Sequence, residues 1–82
     1  MTVTWRDDVV YLEHQCRVED AEPLFGLLQG KPGAAVDLTK AQHLHTAVIQ
    51  VLLAFRPPIA GHAEETFIRC HIEPLLALKY QG

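Results

Sequence analysis

Residues 34–55, Ala34-Ala35-Val36-Asp37-Leu38-Thr39-Lys40-Ala41-Gln42-His43-Leu44-His45-Thr46-Ala47-Val48-Ile49-Gln50-Val51-Leu52-Leu53-Ala54-Phe55, decide how this chain folds. Ala34 to Thr39 is short, apolar and bounded by turn residues, the pattern of a buried strand in a parallel pair. Leu44 to Phe55 then carries Val48, Val51, Leu52 and Phe55 at i, i+3, i+4 and i+7, the spacing of an amphipathic helix. Ile49, Leu53 and Ala54 fill much of its other side, so Gln50 is the main polar interruption. Between strand and helix a tight polar turn holds His43 and His45 and delivers Thr46 to the expected helix start. Any chemistry the chain has is expected there.

Upstream, the period is also helical from Val18, with Ala21, Leu24, Leu27 and Leu28 on one side. Glu19, Asp20 and Glu22 suit the positive end of that helix, and Pro23 is tolerated because it falls in the first turn. Gly30-Lys31-Pro32-Gly33 ends it, and helix termination accounts for these glycines better than a phosphate loop does. Such a helix is the crossover that a parallel pair requires, which predicts a β-α-β unit. Before it, Val3 to Arg6 and Val9 to Cys16 are β-branched and aromatic runs separated by Asp7-Asp8, an amino-terminal hairpin. Val10, Leu12, His14 and Cys16 are expected on one face of its second strand.

Downstream, Arg56-Pro57-Pro58 stops the central helix, because each proline holds its predecessor away from the helical region. Ile59 to His62 fits a short edge strand, and Ala63-Glu64-Glu65 opens a last helix to about Tyr80. Phe67, Ile68, Ile72, Leu75, Leu76 and Leu78 form its apolar side, and Pro74 must kink it or start a second piece at Glu73. The fold class is α/β: one domain over residues 1–82, a small mixed sheet of about four strands with helices mainly on one face.

Composition narrows the function classes. The 82 residues are 49% hydrophobic and 21% charged with mean hydropathy +0.07, rather apolar for so small a monomer, so some apolar surface is expected to meet a partner. A net charge of −3 with seven scattered basic residues argues against nucleic acid. The longest apolar run, within Ala47 to Phe55, is far below the ~20 residues of a membrane span, and Met1 to Asp8 has no signal-peptide pattern, so a cytoplasmic protein is expected. Cys16 and Cys70 have neither C-x-x-C spacing nor a paired motif and are expected as reduced, buried or half-buried thiols, Cys70 in the core. The chain has no serine, so Thr2, Thr4, Thr39, Thr46 and Thr66 are its only aliphatic hydroxyls.

Val36-Asp37-Leu38-Thr39, a short loop, and His45-Thr46-Ala47-Val48-Ile49 leading into Leu52-Leu53 together resemble the core pattern of STAS domains, the family of sulfate transporters and anti-sigma-factor antagonists. That pattern is a strand ending in Asp-Leu-Ser or Asp-Leu-Thr, then Asp-Ser/Thr-Ser/Ala-Gly-Leu opening an apolar helix. The spacing here fits without a gap, while His45 stands at the family's Asp and Val48 at its Gly. The resemblance runs from Val3 to about Tyr80. It implies a non-enzymatic bacterial signal-transduction domain acting by protein-protein interaction. Its partner would be a kinase or anti-sigma-like protein, with control by phosphorylation at Thr46; other members are small subunits of transport assemblies.

The residues themselves leave alternatives open. Thr46 is either the N-cap of the central helix or a phosphoacceptor whose phosphate would meet free N–H groups. His43 and His45, with His62 or His14 brought in by the fold, are the candidates for a metal or small-molecule site, though a structural metal wants more ligands than sequence neighbours supply. No catalytic residue, metal ligand set or cofactor is assigned. His43, His45, Thr46, Gln50, Leu53 and Ala54 are the candidates for partner contact, and a homodimer pairing the apolar helix with its copy is the remaining possibility.

Overall fold

Asp7 and Asp8 turn the chain back on itself. In the computed structural model, which describes residues 2–77, both adopt positive φ, 54° and 64°, the geometry of the two-residue turn whose twist matches a right-handed hairpin. They join β1 (Val3–Arg6) to β2 (Val9–Leu12), antiparallel, with Arg6 opposite Val9 and Thr4 opposite Tyr11. The second strand does not run on to Cys16 as expected. It breaks at Glu13, His14 takes a left-handed φ of 62°, and a separate strand β3 (His14–Cys16) begins. The His14 N–H donates to the Lys40 carbonyl at 2.8 Å, which pulls this segment out of the first sheet. His14 is therefore exposed, while Val10, Leu12 and Cys16 are fully buried.

A 3-10 turn (Val18–Asp20) precedes α1 (Ala21–Gly30), and the Asp20 carboxylate accepts the Arg17 N–H at 2.8 Å. Leu24 and Leu28 are buried, with Ala21 and Leu27 half-buried against the same core. Gly33, at φ 89°, closes the crossover in a conformation that favours glycine. β4 (Ala35–Asp37) then lies parallel to β2, Val36 opposite Val10 and Asp37 opposite Tyr11, which completes the expected β-α-β unit.

The polar turn expected after β4 is instead mostly a strand. β5 (Ala41–Leu44) pairs in parallel with β3, burying Ala41 and Leu44 and exposing Gln42 and His43. α2 (Thr46–Phe55) follows and ends at Arg56, whose φ is 47° and whose N–H donates to the Leu52 carbonyl at 2.7 Å. β6 (Ile59–Gly61) adds in parallel to β4 at the sheet edge, giving the order β1-β2-β4-β6 beside the two-stranded β3-β5 sheet.

The last helical region starts later than its acidic residues suggest. Residues 66–67 are helical, a π-helical segment (Ile68–Ile72) follows, and α3 (Glu73–Ala77) carries Pro74 in its first turn. Proline lacks the N–H that an uninterrupted α-helix would use there, so the ladder is re-registered before it and a second piece starts at Glu73. Ile68, Ile72 and Leu76 are buried, whereas Phe67 and Leu75, expected on the same apolar side, are 60% and 41% exposed. Cys70, expected in the core, is exposed because Ile68 and Ile72 take the inward positions on either side of it. The expected continuation through Leu78 to Tyr80 lies outside the described residues. One core results: Val10, Leu12 and Val36 from the inner face of the sheet pack with Leu24, Leu28, Val48, Leu52 and Ile68. The molecule is thus a mixed α/β domain.

Candidate functional site

The start of α2 is built by hydrogen bonds from both sides. His45 N–H donates to the Cys16 carbonyl at 2.9 Å, tying the helix entry to β3. The His45 carbonyl accepts Val48 N–H at 2.9 Å and Ile49 N–H at 3.0 Å, beginning the helical ladder. His45 itself has extended backbone, φ −62° and ψ 150°, and its Nδ1 accepts the Ala47 N–H at 3.0 Å. His45, not Thr46, is therefore the N-cap. An imidazole accepting at Nδ1 carries its hydrogen on Nε2, so the cap is the neutral ring.

Thr46 becomes the first residue of the helix, with its side chain exposed. Its hydroxyl has no capping duty to perform. Gln50 and Ala54 are also exposed, and Leu53 is half-buried beside them. At 100° per residue Thr46, Gln50 and Ala54 fall within a narrow arc opposite buried Val48 and Leu52, with Leu53 at its margin. None of the ten residues of α2 carries a formal charge, so the helix turns an uncharged face to solvent.

The histidines do not assemble. His43 is exposed on β5, across from Gln15, while His45 is committed to its cap. His62 lies elsewhere, its Nδ1 at 2.6 Å from Glu73 Oε1. Among the described residues no group of three or more His, Cys, Asp or Glu is placed to hold a metal ion.

One feature escaped the sequence. Glu73 is 9% exposed, and its carboxylate accepts both the His62 ring N–H and the buried Ala63 N–H. The sequence carried no signal for it, since its partners His62 and Ala63 lie eleven and ten residues away. Cys16 is free and buried, as expected, and its Sγ lies 3.7 Å from the Glu13 carbonyl and 3.9 Å from that of Thr2. Burial first, then the Asp20 charge, pushes its thiol up to about 11.

The fold and this helix entry define the class as a small mixed α/β domain with an uncharged helix face. Comparison of the chain with family models, with curated proteins and with solved structures finds no match.

Proposed function

We propose that the chain is a STAS-like adaptor of the anti-sigma-factor-antagonist kind, non-enzymatic and acting by protein-protein contact through α2. A partner helix or strand would sit on Thr46, Gln50, Leu53 and Ala54, with His43 and His45 at the margin of the contact. The observation that carries this reading is the outer face of α2. It offers one hydroxyl and one amide amid aliphatic side chains, with no charge for a partner to desolvate.

Thr46 is the regulatory hydroxyl in this reading. It is exposed at the first turn, where a phosphate gains from the helix dipole but places about two negative charges in an otherwise uncharged contact. Addition of phosphate would release the partner. Affinity capture from the source cell, quantified for wild type, Leu53→Asp and Thr46→Glu with circular dichroism to verify folding, tests this. Both variants should lose the same partner by at least tenfold; capture unaffected by either refutes the surface.

A further inference from the structure

Strand alternation sends Val10 and Val36 into the core, so their neighbours Tyr11 and Asp37 face the opposite side of the sheet, away from α1 and α2. There the register places Thr4, Tyr11, Asp37 and Gly61 in one row across all four strands. Above that row lies an open groove of about 550 Å³ lined by Arg6, Tyr11, Glu13, Asp37, Thr39 and Lys40 among others, within the ~300–1,000 Å³ range of small-molecule sites.

The charges in it are unusual in their pairing. Two cations, Arg6 and Lys40, and two carboxylates, Glu13 and Asp37, line one groove, yet no ion pair joins any of them. Arg6 is drawn instead to the Tyr11 side chain and, at longer range, to the charges of Asp7 and Glu13. The Arg6 guanidinium lies 4.9 Å from the centroid of the Tyr11 ring. Asp37 accepts the Thr39 N–H through Oδ1 at 2.8 Å, leaving Oδ2 without a hydrogen-bond partner among the described residues. A Cβ on Gly61 would collide with Asp37 Oδ2 and with Thr39 Oγ1, so the glycine makes room for this carboxylate. Because Asp37 is the register partner of Tyr11, the two backbones are one strand spacing, about 4.8 Å, apart, so both side chains line the same groove.

We propose that this groove binds a small zwitterion of the α-amino-acid class. Its ammonium meets Asp37 Oδ2 and Glu13; its carboxylate meets Arg6 and Lys40. A ligand carrying both charges meets both signs that line the groove, and neither an anion nor a cation alone does so. The site is on the far side of the sheet from the α2 surface and stands independently of the adaptor reading.

The test is an amide-shift titration of the isotopically labelled full chain with each common L-amino acid at about 10 mM, above the millimolar affinity suited to an open polar groove. At least one amino acid should give saturable shifts at Tyr11, Asp37, Thr39 and Lys40. Its N-acetyl and carboxamide derivatives, each lacking one charge, should bind at least tenfold more weakly. Asp37→Asn preserves the turn, since its amide oxygen still accepts the Thr39 N–H, and it should also weaken binding at least tenfold, as should Lys40→Gln. Thermal unfolding confirms that both variants are folded. Absence of groove shifts with every amino acid, equal shifts from the singly charged derivatives or from acetate, or unchanged affinity in both variants overturns the proposal.

Discussion

His45, a candidate for partner contact in the sequence, caps the central helix in the structure. It stands at a helix entry as the capping acceptor, yet a neutral imidazole is a weaker choice there than a short carboxylate, which adds charge complementarity to the dipole. His45→Asp is accordingly expected to stabilise the domain by ~0.5–1 kcal/mol, seen as a rise of several degrees in Tm by calorimetry. A fall in Tm would mean that the Ala47 N–H is not what holds the ring.

The thiols differ just as sharply: Cys70 is exposed, whereas Cys16 is buried and its thiol is pushed up to about 11. In native protein a disulfide-exchange reagent should modify Cys70 quickly and Cys16 only after denaturation. The same burial has a pH consequence. The folded state holds the Cys16 proton more tightly than the unfolded chain, whose thiol titrates near its ordinary value of 9.0. This contribution is intact below pH 9 and lost as pH rises through the window from about 9 to about 11. Cys16→Ala should flatten that part of the alkaline stability curve relative to wild type.

Among the elements, those announced by a period or a breaker were legible. The hairpin, the crossover helix, β4, the central helix and the edge strand all follow from alternation, helical spacing and proline placement. The β3-β5 pair was not legible, because its cause is a hydrogen bond between His14 and Lys40, residues far apart in sequence. The exposure of Gln42 and His43 made β5 read as a loop, although strands need only half their side chains buried. A turn can be legible while its backbone geometry is not. Asp7-Asp8 was read as a turn, but the positive φ at both positions suits glycine and asparagine better than aspartate. Asp7→Asn with Asp8→Gly should therefore stabilise the hairpin by about 1 kcal/mol in chemical denaturation, with no change in the m-value. An unchanged or lower midpoint would show that the aspartates make compensating contacts.

At the scale of the whole molecule, the core was largely readable from its aliphatic periodicity, but the manner in which the carboxy-terminal region is attached was not. Ile68, Ile72 and Leu76 supply apolar contact, and Glu73 supplies direction. Its carboxylate reaches across the end of β6 to the Ala63 N–H and the His62 ring, while Arg56 Nη1 donates to the Leu76 carbonyl at 3.3 Å. These contacts join α3 to both the edge strand and the C-terminus of α2. Nothing in a linear pattern marks an acid as an anchor when its partners lie ten and eleven residues away. Removing the carboxylate leaves the buried Ala63 N–H without an acceptor, a cost of ~1–3 kcal/mol. Glu73→Ala should thus destabilise the domain by that amount, and hydrogen exchange should accelerate first at Ala63 and along residues 66–77, ahead of the β1-β2-β4 sheet. His62→Ala, which deletes the exposed partner and leaves the buried one satisfied, should cost well under half as much. If the two substitutions destabilise equally, the imidazole and not the Ala63 N–H is the contact that fixes the helix in place.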